Sequence, residues 1–477
     1  MNASNNPLLA ESPWPYGLPP FDAVKNDHFR PAFSRALEAH RAEITAISGG
    51  PEAPTYENTI VALERAGQLL EQVSATFFGL IGAHTNPDLQ SVQSEMAPRL
   101  AAHSDAILLD SALFGRVANL YDRRDTLALS AESLRLLERY HLQLVRAGAK
   151  LDEPGKERLR AINEQLSSLT TAFQQRLLND TNARAVVVDS ENELDGLSPD
   201  AIAAARAAAT ERGVDGWVLT LVLPTGQPSL AALKNRAIRQ RVFEASAGRG
   251  QTGEHSTLDL IPKIVRLRAE RATLLGYNTH ADYVLADRTA KTATAVHGML
   301  DRIVPAAVSN AQSEAASIAE LMDRDGVAGP VEPWDWAYYS EQVRKARYDF
   351  DMAEMTPYLE LDRVVQDGMF YAAERLYGLR LEARPDLPAY HPDVRVFEVF
   401  SDDNALGLFL FDPYARPSKR GGAWMSSYVR QSGLLDKPPV AANHLNIPRP
   451  PDGSPTLLTF EEVTTLFHEF GHALHGL

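Results

Sequence analysis

The sequence predicts a mainly α-helical fold with a small antiparallel β-sheet packed beside its last helix. Three observations lead there. Apolar residues recur at helix spacing through the first half of the chain, the texture turns strand-like from about Val394, and a capping signal at Thr459 opens a final helix.

In the N-terminal region, Ile60, Leu63, Leu70, Val73, Phe77 and Leu80 step at helical intervals after a Pro-rich lead-in to about Pro20. Leu159, Ile162, Leu166, Leu169, Phe173 and Leu177 do the same, as one buried stripe requires. These stripes read as core, without chemistry of their own. Two β-like runs follow, Ala185–Val188 and Trp217–Leu223, the second closed by Pro224, Thr225 and Gly226, and they are placed to pair as a small ribbon. Helix returns from about Leu230 to Ala245. The polar stretch Ser246–Glu254 contains Gly248, Gly250 and Gly253 in G-x-G-x-x-G spacing. A dinucleotide turn needs a strand directly before its first glycine, and the preceding A-I-R-Q-R-V-F-E-A reads as charged helix, so this stretch is a loop. It divides the chain into regions 1–245 and 246–477.

Further helices and an aromatic stretch, Trp334–Tyr339, occupy the next segment. Val394–Phe400 and Leu406–Phe411, joined by S-D-D-N, form a hairpin, and Gly421–Arg430 and Val440–Ile447 are further strands. The loop R-P-P-D-G-S-P separates them from the last helix.

Composition narrows the function. The chain has 477 residues, 44% hydrophobic and 23% charged, which is ordinary for a folded globular protein. Its net charge of −15 disfavours phosphate backbones and anionic lipid, so neither nucleic acid nor membrane is the expected partner. With no cysteine, disulfides, thiol nucleophiles and cysteine-ligated metals are excluded. The first residues carry neither a basic n-region nor a continuous apolar core, so the expected location is the cytoplasm, with the periplasm left open.

The last helix carries the chemistry. Thr459 and Glu462 form a capping box, and Val463, Leu466, Phe467, Phe470 and Leu474 supply an apolar face. On it lies His468-Glu469-Phe470-Gly471-His472. Histidines at i and i+4 project from one face, so two imidazole nitrogens reach one ion at about 2.0–2.1 Å. Glu469, turned about 100° from His468, borders that ion and is placed to take a proton from bound water. A solvated helix face bearing the same residues is the alternative. The apolar surroundings favour polar groups set beside a core, and Gly471 inside the helix suggests close approach of a backbone or substrate. His475 lies about 10.5 Å along the axis from His468, too far to share a tetrahedral ion, and is expected to play a supporting or packing role. A catalytic zinc takes three protein ligands, and no upstream acidic residue stands in a recognisable ligand context.

The run Thr464–His475 resembles the active-site helix of the thimet-oligopeptidase family of zinc metallopeptidases. The resemblance continues through P-T-Y-E-N-T at Pro54–Thr59, A-H-T-N at Ala83–Asn86, L-R-A-E-R-A-T-L-L-G-Y at Leu267–Tyr277, Y-H-P-D-V at Tyr390–Val394 and G-G-A-W-M at Gly421–Met425. The bacterial peptidyl-dipeptidase (dipeptidyl carboxypeptidase) branch is nearest in pattern, over essentially the whole chain. The resemblance implies a prolate, zincin-like peptidase acting on short peptides, with region 1–245 covering a substrate channel and 246–477 forming the first part of the catalytic domain. It makes His468 and His472 zinc ligands and Glu469 the general base. It also sets Gly421, Gly422, Ala423 and Trp424 near the cleft, where an edge strand pairs with extended peptide. The third zinc ligand is expected about 20 residues beyond Leu477, with the substrate-holding groups later still. Cleavage within peptides and peptide binding by a catalytically incomplete chain are the alternatives to dipeptide release.

Overall fold

The computed structural model describes residues 6–224, 226–349, 352–450 and 453–477; Thr225 of the expected turn, with Pro451 and Asp452 of the last loop, lies outside them. The stripe from Leu159 to Leu177 falls on one helix, Glu153–Ala183, whose Leu159, Ile162 and Leu166 are buried. The stripe from Ile60 to Leu80 does not. A π-turn at Tyr56–Val61 and a short helix at Ala62–Arg65 end at Gly67, whose φ of +76° breaks the helix before Gln68–Ala83 begins. The helix expected over Leu230–Ala245 is likewise split, into Ser229–Ala232 and Arg236–Ala247, with Asn235 capping the second piece. The glycine-rich stretch follows that second helix, and Gly250 N–H donates to the Asp180 carboxylate at 2.6 Å.

The ribbon forms as expected: β1 (Val186–Val188) pairs antiparallel with β2 (Trp217–Leu219). The larger sheet holds β3 (Leu379–Ala383), β4 (Arg395–Ser401), β5 (Asn404–Tyr414), β6 (Trp424–Val429) and β7 (Val440–Ile447), in the order β3-β4-β5-β7-β6. It is mixed rather than wholly antiparallel, because β7 inserts between β5 and β6 and runs parallel to β5. That insertion pairs β7 along both edges and leaves β6 at the edge of the sheet, and both faces of β7 are buried.

Strand alternation gives the sheet two apolar faces. On one, Val396, Leu408, Leu410, Tyr428, Val440 and Ala442 pack against Phe29, Phe33 and Phe77 of the N-terminal helices. On the other, Phe397, Val399, Phe409, Phe411, Ala441 and Leu445 pack against Leu466, Phe470 and Ala473 of the last helix, Phe460–Gly476. The helices Phe29–Ser48 and Gln68–Ala83 therefore lie behind the sheet, with the motif-bearing helix in front. Regions 1–245 and 246–477 share this core. They also share a buried ion pair, in which Arg239 donates to the fully buried Asp335 at 3.1 Å.

Candidate active site

The site helix starts where the sequence places it. Thr459 Oγ1 accepts from Glu462 N–H at 3.1 Å, and Glu462 Oε2 accepts from Thr459 N–H at 2.7 Å, satisfying two of the otherwise orphaned donors. Its buried side is Leu466, Glu469, Phe470 and Ala473, with the Phe470 ring edge-on to Phe409 at 5.4 Å. His468, Gly471, His472 and His475 occupy the opposite, exposed side.

The motif is thus divided by the helix between two environments. Glu469 is set against the sheet at 7% exposure, while both imidazoles face outward, not beside the core as the apolar surroundings suggested. Gly471 has open space beside it, with no described atom beyond its neighbours and its own helix backbone within 4 Å of where a Cβ would stand. The Nε2 atoms of His468 and His472 lie 3.1 Å apart. Two nitrogens held at 2.0–2.1 Å from one tetrahedral ion stand about 3.3 Å apart, so the pair fits a divalent metal with little adjustment. Among the described residues, no group of three or more His, Cys, Asp or Glu is placed to hold an ion. His475, in the last turn, is not brought to the pair; a side chain there is suited to the negative end of the helix dipole.

The profile of peptidase family M3 matches residues 229–477, just over half of the chain. The dipeptidyl carboxypeptidase of Escherichia coli is 43% identical over 476 residues, covering 99% of this chain and 70% of that protein. The chain belongs to peptidase family M3. Oligopeptidase A of Salmonella typhimurium is 31% identical over 482 residues, again 99% of this chain and 70% of the relative.

As a family M3 chain, it presents the G-G-A-W segment in an unexpected way. Only Trp424 belongs to a strand; Gly421, Gly422 and Ala423 form the loop that enters β6. Gly422 N–H donates to the Val222 carbonyl at 3.2 Å, and a Cβ on Gly421 would stand 3.0 Å from that same oxygen. Ala423 and Met425 turn toward the site helix, whereas Trp424 turns to the other face and stacks on His444, 4.5 Å between centroids.

Sequence reasoning missed the polar groups that hold this frame together. Asn443, 2% exposed on β7, donates from Nδ2 to the Glu469 carbonyl at 2.7 Å. Asn446 donates to the carbonyls of Arg420 at 2.9 Å and Gly422 at 2.6 Å. Behind the sheet, the fully buried Asp412 accepts from Arg416 at 2.6 and 2.8 Å and from Tyr390 at 2.7 Å, with Lys419 at 3.0 Å. Burial pushes the Asp412 carboxyl up, but hydrogen bonds from His444 and Arg416 and the Lys419 charge outweigh it and hold the group well below the usual range. Burial lowers Lys419 to about 8 and His444 to about 4, in each case against the pull of Asp412. Arg416 also donates to the Ala83 carbonyl at 2.6 Å, tying the sheet to the A-H-T-N segment. The available signal was V-A-A-N-H-L-N-I: three polar residues inside an otherwise apolar strand.

Proposed function

We propose that this chain carries the active-site helix of a zinc-dependent peptidase that hydrolyses short oligopeptides and releases C-terminal dipeptides. The observation that carries this reading is the 3.1 Å convergence of His468 and His472, with Glu469 one residue along on a helix fixed to the sheet. His468 and His472 would hold the ion through Nε2 as neutral imidazoles. When bound, zinc polarises the scissile carbonyl and makes its water a better acid. Glu469 takes the proton from the attacking water and returns it to the leaving amine. The loop Gly421–Ala423 and the edge strand β6 are assigned to the wall along which extended peptide backbone runs. The third ligand is assigned to a residue outside the 477 described by this sequence. The location proposed is the cytoplasm; among the described residues no helix is long and apolar enough to cross a membrane.

Release of dipeptides is favoured over internal cleavage by the difference between 43% and 31% identity to the two kinds of relative. The test is Glu469→Gln in the full chain. Metal content should stay at the parent level while turnover falls about 10²–10⁴-fold, the usual contribution of a general base. Turnover near the parent value would remove Glu469 from the mechanism. A peptide with an amidated C-terminus separates the two modes, since internal cleavage tolerates the amide and dipeptide release should be strongly slowed by it.

A further inference from the structure

The sheet and the site helix meet through an apolar interface in which Leu466, Phe470 and Ala473 lie on Phe397, Phe409, Ala441 and Leu445. Apolar contact is non-directional, so by itself it sets the distance between helix and sheet but leaves rotation and sliding weakly fixed. In the middle of this face stands Asn443, an amide at 2% exposure between Ala441 and Leu445. A buried amide costs stability unless bonded, and an apolar residue would fill the position without that cost. The bond it makes is specific. Nδ2 donates at 2.7 Å to the backbone carbonyl of Glu469, which has a second lone pair free beyond the helical bond from Ala473. Among the described residues it is the one hydrogen bond joining the sheet to the site helix.

We propose that Asn443 is a positioning residue for the reaction, indexing the helix against β7 at Glu469 and so fixing the direction in which its carboxylate points. This rests on the assignment of Glu469 as the general base. The helix is about 10–12 Å across with its side chains, so a rotation of about 10° moves a side-chain tip by about 1 Å. A displacement of that size is enough to lower turnover about 10²-fold. Because the two imidazoles ride on the same helix as Glu469, loss of the index leaves the spacing of the histidine pair intact and shifts all three together against the sheet, whose edge strand is the wall assigned to the peptide.

The experiment compares the parent full chain with Asn443→Ala, which removes the donor, and Asn443→Asp, which keeps the shape but presents an acceptor to the Glu469 carbonyl. Three quantities are read: amide hydrogen exchange of residues 464–476, zinc affinity by chelator competition, and kcat and KM normalised to folded protein. Expected are faster exchange across Leu466–Ala473, zinc still bound at one ion per chain but more weakly than in the parent, and kcat at saturating zinc lowered about 10²-fold with KM little changed. Exchange in that helix at the parent rate overturns the proposal, as does kcat per folded molecule within threefold of the parent. A change confined to KM overturns it as well, since that is loss of uniform binding. If Asn443→Asp does not fold, Asn443→Ser replaces it under the same criteria. Failure of the underlying assignment is distinct: it appears as retained turnover in Glu469→Gln, whatever Asn443 does.

Discussion

Replacing Asp412 with Asn should be among the most damaging isosteric changes available in this chain. The carboxylate is fully buried and stands against two cations, Arg416 at 2.6 and 2.8 Å and Lys419 at 3.0 Å, the latter 3% exposed. The amide keeps the volume, removes the negative charge, and turns one acceptor oxygen into a donor facing those cations. Breaking a buried pair by neutralising one partner costs about 3–5 kcal/mol, because the other charge is left uncompensated. Tyr390→Phe removes one hydrogen bond to the same carboxylate and keeps both cations matched, so its cost should be about 1.5–3 kcal/mol. The assay is urea unfolding of parent and variants followed by tryptophan fluorescence, since Trp424 stacks on His444 next to the cluster. The difference between variants should persist in about 1 M salt, where exposed pairs are screened and buried ones far less so. A loss under about 1 kcal/mol for Asp412→Asn, or a larger loss for Tyr390→Phe, would refute the view that this carboxylate compensates a buried double charge.

Acid should weaken the fold through its buried histidines. His444 and His103 have folded pKa values lowered to about 4, in each case first by burial. The unfolded chain therefore binds protons that the folded one refuses; the stability these two histidines contribute is complete above about pH 6.5 and is lost as pH falls toward 4, by up to about 3 kcal/mol for each group. Thermal unfolding between pH 7 and 4 measures this, and His103→Gln should flatten the dependence; a flat parent profile contradicts it. Two helical glycines should respond with opposite sign. At Gly79 a Cβ would stand 2.4 Å from the Tyr428 ring, so Gly79→Ala should cost about 1–3 kcal/mol despite its better helix propensity. At Gly471 no described atom beyond its neighbours and its own helix backbone is near, so Gly471→Ala should gain up to about 1 kcal/mol. Thermal shifts of equal sign would show that the local packing is misjudged.

What could be read from the sequence was local. The capping box at Thr459, the stripe on Glu153–Ala183, the ribbon of β1 and β2 and the hairpin of β4 and β5 all depend on residues close together in the chain. The spacing of His468 and His472 belongs to the same class, which is why the pair is legible without a fold. Strand order is not local. Nothing in Val440–Ile447 itself says that it enters between β5 and β6, so the parallel pairing appears only with the sheet assembled. The partition of Glu469 from the imidazoles escaped for the same reason, because it depends on which side of the helix meets the sheet. Asn443, Asp412 and Lys419 act through partners 26, 22 and 7 residues away or through the core, beyond the reach of periodicity.

The threading of the N-terminal lead-in has a consequence for synthesis. Leu8 and Leu18 are wholly buried in the core that also contains Val440 and Ala442, Phe21 packs edge-on against Tyr390 and Tyr428, and Tyr16 donates to Glu398. These early residues have no complete burial site until more than four hundred others have left the ribosome. At about 5–20 residues per second that delay is roughly 20–80 s, during which the apolar segment Leu8–Phe21 is open to chaperones and to wrong neighbours. Yield should therefore respond to translation speed and chaperone supply as well as to the stability of the finished molecule.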